Sequence, residues 1–317
     1  MRGDKLRGRK AVAINKRFSL AIFLCLMFGV ILLSLDRGIN AQILIRQILV
    51  LSVISMGAVF VFTVGSFGIS LGASTLLSVV LGGAVFAYTQ SYTLSLLSCI
   101  FVPMSVCVGG NCLIRIFKLP SYASAVIILT FCISLSWLTL SLFGGTINTG
   151  MPTKNFFGTP GATVLFFLIF TALCVLMEYI LPVGKRQKEL GFCLNTARLQ
   201  GISPLFYSTL AFVFASLGVG IGGFLILCSD NIIEKTQVSD LGFNIIFALF
   251  LGGMPVAGGK RSSILCGLIG SVSAVFIREI FVCLSLSDGL PQLIRSIILL
   301  VILICFEKIN GDFNASY

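Results

Sequence analysis

The chain has 317 residues, of which 57% are hydrophobic and only 10% are charged, and its formal net charge is +11. Soluble domains carry about 25% charged residues, so this composition excludes an ordinary soluble enzyme or binding module. The sequence contains no histidine. Histidine is the commonest general base and metal ligand, so Ser-His-Asp catalysis, Cys-His catalysis and histidine-ligated zinc or haem are excluded.

Apolar runs recur from one end of the chain to the other, each long enough to cross roughly 30 Å of hydrocarbon as a helix. Backbone groups in lipid must be hydrogen-bonded internally, and the sequence lacks the short alternating segments of a β-barrel. We therefore predict an all-α, polytopic helical membrane protein with about ten transmembrane helices. The predicted spans are 18–35, 42–64, 72–89, 93–114, 121–143, 161–182, 203–228, 241–258, 263–284 and 291–306.

Basic residues are distributed unevenly between the predicted loops. If the N-terminus is cytoplasmic, 16 of the 22 lysines and arginines fall in cytoplasmic segments, as the positive-inside rule requires. The positive charge therefore indicates topology and not nucleic-acid binding. We predict a cytoplasmic tail over 1–17, a transmembrane domain over 18–306 with a cytoplasmic loop at 183–202, and a cytoplasmic tail over 307–317. The long basic leader and the lack of a cleavage site favour an uncleaved first helix over a signal peptide.

Small residues and cysteines are frequent inside the spans. Cysteine behaves there as a small hydrophobe, and "GVGIGG" (218–223) is most simply a face for close helix packing. "GSFGISLGAS" (65–74) differs because it interrupts an apolar run with flexible positions. Broken helices in transporters line water-filled paths. The candidate pathway residues are Gly65, Gly68, Ser70, Gly72, Asn111 and Glu279.

The loop "KELGFCLNTARLQGI" (188–202) predicts a short amphipathic helix, with Leu190, Leu194 and Ala197 on one side. Gly201 is well placed to end this helix, and Pro204 to begin the next span. Such a helix suits docking into a groove on a cytoplasmic partner. It equally suits a position on the lipid headgroups, and spacing alone does not decide between the two.

The segment "GGMPVAGGKRS" (252–262) departs from a P-loop because Met254 and Arg261 replace required residues. It predicts a re-entrant turn or a bent helix end. If transport uses ATP, another chain must therefore bind and hydrolyse it. The polar loops at 143–161 and 229–240 are predicted on the outer side, where the acidic second loop is either a solvated surface or a docking surface.

Several charged residues fall inside or near predicted spans, where such residues mark functional sites or buried pairs. Arg278 and Glu279 are predicted in the middle of the ninth span, and a pair between Glu279 and Arg295 is favoured over direct substrate contact. Arg46 and Glu178 lie near span ends, where snorkelling explains them.

Three motifs in order along the chain carry a resemblance to a known family. "ELGFCLNTARLQGI" resembles the cytoplasmic loop of ABC importer permeases of the ribose/galactose/xylose type, which ends in A-A-R-L-S-G-I. "LGGMPVAGGKRSSILCGLIGS" (251–271) resembles the glycine-rich pattern of that family, although Pro255 and Ser262 depart from it. "GSFGISLGAS" is similar to G-I-D-L-S-V-G-S, with Gly68 where the family has aspartate. The resemblance covers roughly residues 40 to 306.

The resemblance implies a non-enzymatic subunit of the bacterial inner membrane that binds no cofactor or metal itself. Its partners would be a cytoplasmic ABC ATPase that binds ATP, a second permease subunit in a homo- or heterodimer, an extracytoplasmic substrate-binding protein and the bilayer. The implied ATPase-coupling residues are Glu189, Leu190, Leu194, Ala197, Arg198, Leu199 and Gly201. A monosaccharide is the expected solute. The alternatives are a nucleoside, an autoinducer-type sugar, an amino acid, or a secondary transporter that uses Glu279; an intramembrane enzyme is disfavoured.

Overall fold

The computed structural model describes most of the chain from residue 41 onward. The described ranges are 41–66, 68–117, 120–148, 159–229, 232–233, 238–255, 258–259, 262–284 and 289–314, with isolated positions between 22 and 34. The predicted span 18–35 therefore lies largely outside the described residues. The predicted tail 1–17 and about half of each of the loops 143–161 and 229–240 also lie outside them.

The described residues form α-helices in the order that the apolar runs predict. These helices are α1 (Ala41–Thr63), α2 (Ser70–Thr89), α3 (Tyr92–Phe117), α4 (Ser121–Leu142), α5 (Pro160–Val175), α6 (Pro182–Phe192), α7 (Leu194–Leu199), α8 (Pro204–Ser229), α9 (Val238–Leu251), α10 (Ile264–Cys283) and α11 (Gly289–Asn314). A π-helix, Leu176–Ile180, continues α5. Within the described residues, seven stretches are long and apolar enough to cross a membrane, so the predicted all-α, multi-pass membrane protein is confirmed.

Two helix ends differ from the predicted spans. Helix α9 ends at Leu251, the backbone turns at Gly252 and Gly253, and Met254 is not helical. Gly253 has φ +87°, which favours glycine, so the predicted bent helix end is confirmed. Helix α11 continues to Asn314, beyond the predicted span end at 306.

Helices α1, α2, α3 and α8 pack closely because glycines let their backbones approach. A β-carbon at Gly222 would lie 2.2 Å from Ile54 Cγ1, and one at Gly220 would lie 2.6 Å from the Ile100 Cα. Small residues at helix crossings permit such contact in lipid. The predicted packing role of the "GVGIGG" segment is confirmed. The predicted apolar role also holds for Cys99, Cys107, Cys132, Cys174, Cys228 and Cys283, which are buried.

The molecule has two distinct ends because α8, with 26 residues, is about 39 Å long at 1.5 Å per residue. Helices α6 and α7 precede α8 and lie at one end, which we name the α7 end. A two-residue antiparallel ladder lies at the other, the ladder end. Strand β1 (Ile147–Asn148) pairs there with β2 (Ile232–Ile233) in the register Ile147↔Ile233. The ladder therefore joins the loop after α4 to the loop after α8, which are distant in sequence.

Candidate coupling site at the α7 end

The predicted amphipathic helix is two helices. Helix α6 ends at Phe192, Cys193 is extended at φ −156° and ψ 115°, and α7 begins at Leu194. The prediction of one continuous helix through 190, 194 and 197 was therefore wrong. Neither glycine nor proline occupies the bend at Cys193, and Gly191, two residues earlier, still belongs to α6, so the sequence does not show where the helix breaks.

The bend changes which predicted residues are buried. Leu190 and Ala197 are 3% and 1% exposed, as the apolar face predicts, but Leu194 is 37% exposed. Leu190 and Ala197 pack in one cluster with Ile202 and Ile264. This cluster supports the buried side of α7.

Gly201 ends α7 as predicted. Its φ is +75°, and the backbone N–H groups of Gly201 and Ile202 donate to the carbonyls of Arg198 and Ala197, both at 3.0 Å. These bonds satisfy carbonyl groups at the helix end, as in a glycine C-cap. Pro204 then begins α8, as predicted.

The outer side of helix α7 is exposed. Leu199 is 90% exposed, and Arg198 and Gln200 beside it are also exposed. Glu189, on α6, is partly buried. The structure therefore separates the predicted coupling residues into a supporting set, formed by Leu190 and Ala197, and a projecting set, formed by Arg198 and Leu199.

Helix α6 is held by close backbone contacts on its inner side. A β-carbon at Gly191 would lie 1.9 Å from the Thr63 carbonyl oxygen, and one at Gly184 would lie 2.7 Å from the Glu178 Cα. Thr63 also accepts a hydrogen bond from the Gly259 N–H at 3.0 Å. The end of α1, helix α6 and the turn before α10 therefore meet at one place.

Polar contacts also join α6 to α8. The Arg186 guanidinium donates to the Tyr207 hydroxyl and lies 5.7 Å above the centroid of the Tyr207 ring. This hydroxyl raises the pKa of the Arg186 guanidinium. The Gln187 Nε2 donates to the Tyr207 carbonyl at 3.3 Å. Tyr207 therefore fixes α6 against the first turn of α8.

Glu178 occupies the centre of the α7 end, where sequence reasoning placed a snorkelling side chain. That prediction was wrong, because the π-helix turns Glu178 inward and its side chain is 4% exposed. Its Oε1 lies 2.5 Å from the Lys188 Nζ, and its Oε2 accepts from the Ile264 N–H at 2.8 Å. The adjacent Tyr179 hydroxyl lies 3.2 Å from the Ser263 Oγ. We name the contacts of Glu178 with Lys188 and Ile264 the Glu178 clamp.

Sequence reasoning missed the clamp because no spacing predicts a π-helix. The available signal was Pro182, which lacks an N–H and begins α6, so the preceding turn cannot continue as a regular α-helix. The Leu181 N–H donates to the Leu176 carbonyl at 3.0 Å, which is the i to i+5 bond of a π-turn.

The predicted pathway glycines are used for turns and packing. Gly65 has φ +77° in the turn after α1, and the helix break predicted at 65–74 is present between α1 and α2. Gly68 is buried against Phe62, and a β-carbon at Gly72 would lie 1.9 Å from the Gly242 Cα. Ser70 is 2% exposed at the start of α2. These residues define a tight crossing of α2 with α9.

Asn111 is buried between two helices. It is 1% exposed; its Nδ2 donates to the Thr209 Oγ1 at 2.9 Å, and its Oδ1 accepts from the Ser208 Oγ at 2.7 Å. Both partners belong to α8, so the amide joins α3 to α8.

Arg278 and Glu279 lie in the last two turns of α10, not in its middle, and are exposed and partly exposed, respectively. Arg295 is 8% exposed; it donates to the Asn244 Oδ1 at 3.0 Å and lies 5.8 Å from the Phe281 centroid. Within the described part of the chain these contacts replace the predicted pair with Glu279.

Comparisons with known proteins extend beyond the motifs. The chain is 24% identical over 284 residues to the ribose import permease protein RbsC of Bacillus subtilis, covering 87% of each chain. The chain is a homologue of ABC transporter permeases. It is also 25% identical over 147 residues to a probable ABC transporter permease protein, YphD, of Escherichia coli, covering 46% of this chain and 44% of that one.

No family model and no solved structure matches the chain. The homology to ABC permeases therefore rests on sequence similarity along most of the chain. It confirms the resemblance that the segments 189–202 and 251–271 predict. In the structure, these two segments of the ABC permease homologue meet at the α7 end, where a β-carbon at Gly191 would lie 3.0 Å from the Gly259 nitrogen.

Proposed function

We propose that the chain is the transmembrane permease subunit of an ATP-driven importer of the bacterial inner membrane, with both termini cytoplasmic. The observation that carries this proposal is the combination of an exposed α7 with an anchored α6. An apolar side chain as exposed as Leu199, at 90%, suits insertion into a groove of a partner. The chain itself is a transport subunit, and ATP is bound and hydrolysed by a separate ATPase.

The docking surface on this reading consists of Arg198, Leu199 and Gln200. Leu199 supplies a central apolar anchor, and Arg198 supplies a cation at its edge. Interfaces commonly have this arrangement of an apolar centre and a polar rim. Because α6 is fixed to α1 and α8, motion of the docked ATPase is passed to the membrane helices. A second permease subunit completes the pathway, and a substrate-binding protein delivers the solute at the ladder end.

The proposed solute is a monosaccharide of the ribose, galactose or xylose class. Support comes from the similarity to the ribose import permease along 87% of the chain. Nucleosides, autoinducer-type sugars and amino acids are the competing solutes. An ion-driven secondary transporter is disfavoured, because Glu279 lies in the last two turns of α10 and a coupling carboxylate is expected near the midplane.

A photo-crosslinking experiment tests the docking surface. A photo-reactive amino acid replaces Gln200 in one variant and Gln90 in another; Gln90 is an exposed glutamine at the ladder end and serves as the matched control. Membranes that contain the chain and its co-encoded ATPase are irradiated with and without ATP. We expect a nucleotide-dependent cross-link to the ATPase from position 200 alone. Cross-linking of position 200 only to lipid would contradict the proposal.

A transport measurement tests the driving force and the solute. Proteoliposomes that contain the permease, the ATPase and the binding protein are supplied with radiolabelled ribose, with ATP on the ATPase side. We expect uptake that requires ATP and is insensitive to a protonophore. Competition by unlabelled galactose, xylose, nucleosides and amino acids then identifies the solute class. Uptake that collapses with the protonophore and ignores ATP would favour the secondary transporter.

A further inference from the structure

We infer that the Glu178 clamp is the mechanical link that passes motion of α7 to α10. This inference rests on the proposed function, because it assigns a route to motion that an ATPase would impose. Glu178 is a positioning residue, because its two carboxylate oxygens are engaged by Lys188 and Ile264. The inference depends on three features of the α7 end: the contacts of the carboxylate, the close packing of α6, and the contact of α10 with α1.

The Glu178 carboxylate joins three helical elements through its two oxygens. It belongs to the π-helix, pairs with Lys188 of α6 at 2.5 Å, and accepts the first N–H of α10 from Ile264 at 2.8 Å. A buried carboxylate is stable only while such partners are in place, because the uncompensated charge is costly. Displacement of α6 by a fraction of a hydrogen-bond length therefore forces the N-terminus of α10 to follow.

Two routes leave α7. The covalent route to α8 is a short turn, in which the N–H groups of Gly201 and Ile202 cap α7 and Ile202 packs in the same cluster as Ala197. The other route runs through α6, which is close-packed against the π-helix and α1, as the contacts of Gly184 and Gly191 show. The route through α6 is the one that reaches Glu178 and, through its carboxylate, the first N–H of α10.

Helix α10 carries the displacement into the membrane. The Ser271 Oγ lies 2.6 Å from the Ser52 Oγ of α1, and a β-carbon at Gly267 would lie 3.1 Å from the Met56 nitrogen. Close-packed helices shift as units and do not deform continuously. A change at the Ile264 N–H is in this way passed to the middle of α1.

Distance measurements between spin labels test the route. Labels are introduced as non-canonical amino acids at Gln200 or Leu265, each paired with a reference label at Ile127. All three side chains are exposed, and helix α4, which carries Ile127, packs on α2 and α3. The full complex with its ATPase is measured in nanodiscs, with and without a non-hydrolysable ATP analogue. We expect both distances to change in the parent protein.

The variant Glu178→Ala distinguishes the clamp from a static contact. We expect the nucleotide-dependent change at position 200 to persist and the change at position 265 to fall by more than half. An unchanged response at position 265 would overturn the inference and leave the proposed function intact. A parent protein in which position 200 itself ignores nucleotide would instead overturn the proposed function, and the clamp route with it.

Two lysines on the same helix supply a matched pair. Lys188→Met removes the partner of Glu178, whereas Lys185→Met removes an exposed lysine. We expect Lys188→Met to reduce the response at position 265 and Lys185→Met to leave it unchanged. Equal effects of the two variants would assign the response to general positive charge and overturn the clamp.

Hydrogen exchange measures whether the hydrogen bond from the Ile264 N–H to Glu178 is present, independently of transport activity. The Ile264 amide is expected to exchange roughly tenfold faster in Glu178→Ala, because hydrogen bonds to charged groups are among the stronger ones. Glu178→Gln keeps an acceptor oxygen and is expected to restore protection at Ile264 without restoring the ion pair. Exchange at Ile264 that is the same in all three proteins would overturn the clamp.

Discussion

Helices α6 and α7 are adjacent in sequence, but the structure uses them differently. Helix α6 is fixed to its surroundings by Lys188, Arg186 and Gln187 and by the close approach of Gly191 to α1. Helix α7 is buried only on the side of Ala197, and Leu199 projects from it. The comparison indicates that α6 transmits motion to the membrane helices, whereas α7 presents a binding surface to a partner. Substitutions in α6 should therefore impair stability, and substitutions on the outer side of α7 should impair binding alone.

The largest expected effect is loss of the α6 anchor in Gly191→Ala. A β-carbon there would lie 1.9 Å from the Thr63 carbonyl oxygen, and backbone cannot move aside cheaply. Overpacking costs about 1–3 kcal/mol and occasionally more, so we expect a clear fall in the Tm of the purified protein in detergent. Gly109→Ala is the control, since a β-carbon at Gly109 meets nothing within 4 Å. An equal Tm for the two variants would contradict the anchoring of α6.

The next largest effect is expected for Leu199→Asp on the outer side of α7. Leu199 packs against nothing that its removal would destabilise, because it is 90% exposed. We expect an unchanged Tm and a loss of ATPase binding of roughly tenfold or more, as for a central interface residue. Binding is measured as the Kd for the purified ATPase in nanodiscs. Leu142→Asp is the control, since Leu142 is 78% exposed at the end of α4 nearer the ladder.

A smaller effect is expected for Tyr207→Phe, which removes the acceptor of the Arg186 guanidinium and keeps the ring. The second bond, from Gln187 to the Tyr207 backbone carbonyl, does not depend on the hydroxyl. We therefore expect the Tm to fall by only a few degrees and ATPase binding to change little. A Tm as low as that of Gly191→Ala would show that polar contacts, and not backbone packing, anchor α6.

The smallest expected effect concerns the bend between α6 and α7 at Cys193. The Thr196 hydroxyl and the N–H groups of Thr196 and Asn195 lower the pKa of the Cys193 thiol, and the side chain is partly exposed. A lowered pKa means that thiolate persists at lower pH, and thiolate is the reactive form. Alkylation of Cys193 by iodoacetamide should therefore lose less of its rate on acidification in the folded protein than in the unfolded protein.

The readout is mass spectrometry of the peptide that contains Cys193, with Cys193→Ser as the control for assignment. Saturating ATPase should slow this alkylation if the partner covers α7. Identical pH profiles for folded and unfolded protein would show that the bend does not stabilise the thiolate.

Much of the fold was predictable from the sequence. The apolar runs predicted α1 to α5, α8 and α10 closely, because the requirement to span the hydrocarbon fixes the length of each run. The ends of α9 and α11 were predicted less well, since α9 ends at Leu251 and α11 continues to Asn314. Gly201 and Pro204 predicted the end of α7 and the start of α8, because both residues act through local backbone geometry.

The site was predicted only in part. Ala197 and Leu199 were placed in the coupling segment, but the division into α6 and α7 was missed because Cys193 has no residue-level preference for a bend. The inward position of Glu178 depends on the π-helix and on contacts with Lys188 and Ile264, which are distant in sequence. The burial of Asn111 between α3 and α8 could not be predicted, because it depends on contacts between residues that are distant in sequence.

The π-helix makes the length of one short segment critical to the architecture. A π-turn closes an i to i+5 hydrogen bond, one residue longer than that of an α-turn, so deletion of a single residue between Leu176 and Ile180 would convert the π-turn to a regular one. Glu178 would then lose the inward position from which it contacts Lys188 and Ile264. We therefore expect single-residue insertions and deletions to be tolerated less well here than in the loop 143–161.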